Sequence, residues 1–124
     1  MTPTKTALMI GLHPDVVDYG KWPGLTADKL RAGLDADLAR LAEVGIAADV
    51  AFVDHGETAA EVAATKLAEK HWDVVLIGAG VRTDPDEFLL FETLINVVHS
   101  KAPQAAICFN TGPTDSLAAV QRHI

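Results

Sequence analysis

Four apolar stretches, TALMIGL (6–12), ADVAFVD (48–54), WDVVLIG (72–78) and AAICFN (105–110), recur along the chain, and each is followed by a segment of helical periodicity. Half-exposed strands alternate apolar and polar residues. These runs are mostly continuous and rich in β-branched residues, the pattern of strands covered on both faces. Strand and helix repeated in this way imply a parallel sheet with right-handed crossovers and helices on either side.

The chain therefore reads as one α/β domain over residues 1–124, a three-layer α/β/α sandwich built on a four-stranded parallel sheet. Order 2-1-3-4, the flavodoxin-like or Rossmann-like arrangement, puts the first and third strands, which are the most apolar, at the centre. Orders 1-2-3-4 and 3-2-1-4 satisfy the same alternation. In the first helix Leu30, Leu34, Leu38 and Leu41 share a face, with Asp28, Arg31, Asp35 and Glu43 opposite and Gly45 as the stop. The second opens on a capping box of Thr58 and Glu61. The third opens on DPDE, with Asp84 as N-cap, Pro85 at the first helical position and Glu87 as box partner. It runs through FLLFETLINVVHSK to the break at Pro103. A short fourth helix starts near Thr114 or Asp115 and carries Leu117, Ala118 and Val120.

A chain of 124 residues supports one core, and 49% hydrophobic with 22% charged residues is a globular balance. The formal charge of −7 repels phosphate backbones, so nucleic acid is not an expected partner. The lone cysteine, Cys108, cannot close an internal disulfide and reads as a small buried hydrophobe. The apolar start ALMIGL is too short for a signal-peptide core or a membrane span. A reducing cytoplasm and no membrane partner are expected.

In open parallel sheets ligands bind beyond the carboxyl ends of the strands, where the strand order reverses. That places a site between strands 1 and 3, bordered by the loop after strand 1, by GAGVRTD and by NTGPTD. The first of these loops has about 13 residues where about 2–6 are usual. It carries Tyr19 and Trp22, which either cover a pocket, contact a partner, or simply pack over the sheet end. His13 follows strand 1 with Asp15 and Asp18 nearby, the residue types of an oriented general base. A surface histidine beside a turn-capping aspartate is the plain alternative. Lys21 reads as a solvated lysine unless that loop desolvates it. His13, Asp54 and His55 together offer two imidazoles and a carboxylate to a divalent metal, at a spacing that matches no fixed motif. No cofactor is otherwise expected.

Gly78 and Gly80 resemble part of a dinucleotide fingerprint, but Thr83 stands at the third glycine position and the segment follows strand 3 rather than strand 1. Arg82 is placed to clamp a carboxylate or phosphate, or to pair with Asp84 or Asp86. Asn110, Thr111 and Gly112 offer polar groups before a helix start, or form an ordinary turn. The topology is similar to that of response-regulator receivers, yet Gly78 occupies the place of their phospho-acceptor aspartate. Cobalamin-binding domains have aspartate, histidine and glycine in the first loop, whereas HPDVVDYG has those residue types in another order.

Phe88, Leu90, Phe91, Leu94, Ile95, Val97 and Val98 cover about half of the third helix, and Leu89 lies among its polar residues. A homodimer through this helix and the AAICFN edge would bury the remainder. The functional expectation is a small cytoplasmic protein that binds a polar or anionic metabolite at the carboxyl edge of the sheet. Acid/base chemistry of lyase or isomerase type on His13 would be compatible with it. The alternative is a noncatalytic interaction module using the Tyr19/Trp22 loop and the third helix.

Overall fold

The computed structural model describes residues 4–112 and 114–124, so Pro113 of the NTGPTD segment lies outside the described residues. The strands are β1 (Lys5–Leu12), β2 (Ile46–Val53), β3 (Val74–Ile77) and β4 (Ala106–Phe109). All pairings are parallel and the order is β2-β1-β3-β4. The helices are α1 (Ala27–Glu43), α2 (Ala59–Leu67), a single turn α3 (Ala79–Arg82), α4 (Phe88–Lys101) and α5 (Ser116–Gln121). The result is the three-layer flavodoxin-like arrangement that the apolar runs imply.

Both faces of the central strand are covered, which is why its apolar run is unbroken. Leu8 and Ile10 point toward α2 and α4, joining Val53, Ala63, Trp72, Val75, Leu94 and Val98 in the larger core. Ala7 and Met9 point the other way, toward α1 and α5, with Leu41, Leu76, Cys108 and Val120. Burial pushes the Cys108 thiol up to about 11, as befits an inert core residue.

Two helix starts differ from the sequence reading. Thr58 precedes α2 without a side-chain cap bond. Its amide and hydroxyl instead donate to Asp54, which also accepts from the Gly56 amide and is pulled down to about 2, chiefly by the Thr58 bonds. Asp84 caps a 3-10 turn at Pro85–Glu87 by accepting from the Asp86 amide, so α4 begins only at Phe88. Glu87 is thereby released from box duty. It is 6% exposed and faces His55.

The α4 helix buries Leu90, Leu94 and Val98, and half-buries Phe91, Ile95 and Val97 against the larger core. Its uncovered apolar surface is confined to the first turn, where Phe88 is 62% and Leu89 71% exposed. Among the described residues, no helix is long and apolar enough to cross a membrane.

Candidate functional site

On the α1/α5 side the layers do not close at the carboxyl end of the sheet. A cavity of about 520 Å³ lies between the ends of β1, β2 and β3 and the first half of α1. Two glycines help to leave it open. Gly11, at the end of β1, and Gly33, on α1, both line it, and a methyl group built on either would meet nothing within 4 Å. Leu30 and Leu34 are therefore only half-buried, lining the space rather than filling it.

The floor of the cavity is Met9, Val50, Phe52 and Leu76. Its roof comes from the long loop after β1, through Val17, Trp22 and Leu25. That loop is pinned at several points. Tyr19 donates from its hydroxyl to the Pro14 carbonyl at 2.6 Å, and Asp18 accepts from the Gly20 amide to cap a 3-10 turn. His55 Nε2 donates to the Val16 carbonyl at 2.7 Å. Lys21 reaches Asp84 at 3.0 Å and Asp86 at 2.5 Å, tying the loop after β1 to the segment after β3. The two carboxylates hold the Lys21 ammonium well above its ordinary pKa, Asp86 contributing most.

One end of the cavity is polar. Asn110 accepts from the Ala79 amide at 2.8 Å through Oδ1 and donates to Ser116 Oγ at 3.0 Å through Nδ2. Ser116 stands beside Asp37, a carboxylate on α1 that is only 4% exposed. Burial raises the Asp37 pKa, opposed by Ser116 and by Arg40, whose Nη1 stands 3.3 Å from Oδ1.

The sequence-derived site residues divide between this cavity and its surroundings. Trp22, Gly78, Gly80, Asn110, Thr111 and Gly112 line it. The Thr111 and Gly112 amides donate to Asp115, forming the turn that was the other reading of these residues. His13 lies outside the lining residues. Its Nδ1 accepts from the Asp15 amide at 3.0 Å and its ring meets Phe52 edge-on at 5.4 Å. The Asp15 carboxylate is 3.8 Å from His13 Nδ1 and pairs instead with Arg31 at 3.2 Å, while Asp18 is the turn cap already described. Arg82 is also outside the lining residues: its Nη2 donates to the Asn110 carbonyl at 3.0 Å and its guanidinium stands over Phe109.

His13, Asp54 and His55 form no metal cluster; among the described residues no group of three or more His, Cys, Asp or Glu side chains could hold an ion. Asp54 spends its oxygens on the turn, and both His55 nitrogens have partners.

Sequence reasoning missed Asp37, Ser116, Gly33 and Phe52. The signal for Asp37 was available, since it lies three residues after Leu34 and four before Leu41, on the apolar stripe rather than opposite it. No protein-family model matches the chain, and no curated protein matches it.

Proposed function

We propose that the protein binds a small, largely apolar molecule in the cavity beneath the Trp22 loop at the carboxyl edge of the sheet. The observation that carries this reading is the pairing of volume and lining. A space of about 520 Å³ is within the range of small-molecule sites, and aliphatic and aromatic side chains surround it with polar groups at one end. An apolar void of this size lowers stability through lost packing contacts, a cost that a bound ligand offsets. The position agrees with the general rule for open parallel sheets. The lining moves the proposal away from the polar or anionic metabolite expected from the loops, because neither Arg82 nor Lys21 faces the cavity. No reaction is assigned to His13, which stands behind Phe52.

The test is thermal unfolding with 1-naphthylmethanol, a neutral apolar probe that fits the volume. A ligand that binds only the folded state raises the midpoint with concentration. The expected result is a rise in the wild type that Gly33→Phe removes by filling the space. No rise at millimolar probe would overturn the reading.

A second reading, self-association or partner binding through α4, is favoured by one observation. Phe88 and Leu89 stand uncovered side by side at the start of the helix.

A further inference from the structure

We propose that Asp37 is the specificity-determining residue of the cavity and that the ligand it selects is an apolar molecule bearing a protonated amine. This inference rests on the cavity being a binding site and adds the class of ligand.

Two carboxylates sit at the polar end of the cavity. Asp37 is buried in its wall, and Asp115, which accepts from the Thr111 and Gly112 amides, lies close enough to raise the Asp37 pKa by repulsion. The cations nearby are turned to other work. Lys29 lines the space, but its ammonium donates to the Gly24 carbonyl at 2.9 Å. Lys21 is held by Asp84 and Asp86. An anionic ligand would therefore meet a buried carboxylate whose cationic partner is a single long Arg40 contact, a costly arrangement.

Asp37 is also incompletely served. An ionised carboxylate has about four acceptor positions. The hydrogen bond seen here uses one, to an Arg40 nitrogen at 3.3 Å, a long bond from a half-exposed side chain. Ser116, which accepts from Asn110 Nδ2, and Arg40 favour the ionised form of Asp37, while burial opposes it. A ligand ammonium supplies a second opposite charge, from the cavity side, and makes a charge-assisted hydrogen bond at a carboxylate that is only 4% exposed. The apolar body of such a ligand would lie against Phe52, Leu34 and Trp22. The net charge of −7 adds a long-range attraction for cations.

The experiment is calorimetric titration of the whole chain with 1-naphthylmethylamine, its neutral isostere 1-naphthylmethanol, and 1-naphthoate. In the wild type the amine should bind roughly tenfold to a hundredfold tighter than the alcohol, with the carboxylate weakest. Asp37→Asn should bring the amine to the affinity of the alcohol. Equal affinities in the wild type, a preference for the carboxylate, or an amine preference that survives in Asp37→Asn would each overturn the inference and leave the cavity reading intact. Failure of all three probes to bind would remove both. If Asp37→Asn does not fold, carboxyl titration of Asp37 in the wild type by carbon-13 NMR decides: the amine should lower its midpoint and the alcohol should not. A midpoint unmoved by the amine would overturn the inference.

Discussion

His55 Nδ1 stands 2.5 Å from Glu87 Oε1, and the opposite ring nitrogen donates to the Val16 carbonyl. A carbonyl and an ionised carboxylate both accept, so the protonated ring satisfies both at once and bridges the loop after β1 to the start of α4. Glu87 is the main cause of the raised His55 pKa, with the Val16 carbonyl second.

The pH dependence follows from that sign. A histidine whose folded-state pKa exceeds its unfolded value of 6.5 adds stability in full below 6.5, and loses it as pH rises through the higher folded-state value. Urea midpoints should therefore fall on the alkaline side of 6.5, and His55→Gln should flatten that part of the profile. Coincident pH profiles for wild type and His55→Gln would contradict the bridge. Glu87→Gln, which leaves the buried position without its charge, should cost about 1–3 kcal/mol at pH 6.

Gly33 sits inside α1 in helical backbone with open space beyond it. Gly33→Ala should stabilise the protein by about 1 kcal/mol, the ordinary difference between the two residues in a helix interior. Equilibrium urea unfolding measures it. A destabilised Gly33→Ala would mean that the space next to α1 is already filled.

The Lys21 pair with Asp84 and Asp86 is exposed, so its removal should act locally. In Lys21→Met, amide hydrogen exchange across residues 19–25 should accelerate while the global unfolding midpoint barely moves. Added salt should reproduce the effect in the wild type. Unchanged exchange in that segment would show that Tyr19 and His55 hold the loop without help.

Trp72 is fully buried in the larger core and donates from its indole nitrogen to the Lys66 carbonyl at 3.3 Å. Trp72→Ala should cost about 3–5 kcal/mol, and Trp72→Phe far less, since Phe keeps most of the volume. Chemical denaturation of the two variants separates packing from the hydrogen bond.

If α4 mediates self-association, light scattering should give twice the 13.2 kDa of one chain, and Leu89→Glu should return it to the single-chain mass. A single-chain mass for the wild type at high concentration would leave Phe88 and Leu89 as ordinary surface residues.

The layer architecture was legible because strand and helix periods report directly which faces are covered. The unbroken run of β1 and the leucine stripe of α1 sufficed for that. The same stripe was silent about filling: Leu30 and Leu34 point inward, yet periodicity cannot say whether the inward space is occupied, and Gly11 and Gly33 help to leave it open. Local rules also misassigned pairs whose partners are distant in sequence. Glu87 fits a capping box three residues from Asp84, but a 3-10 turn intervenes and a histidine 32 residues away takes it. His13 and Asp15 are neighbours in sequence, and the Asp15 carboxylate is claimed by Arg31 on α1.

The most direct test of the account is proton-nitrogen NMR of the labelled protein titrated with 1-naphthylmethanol. Binding in the cavity predicts concentration-dependent shifts at Gly11, Gly33, Leu34 and Gly78, with the amides of α4 unmoved. An unperturbed spectrum, or shifts confined to Phe88 and Leu89, would contradict it.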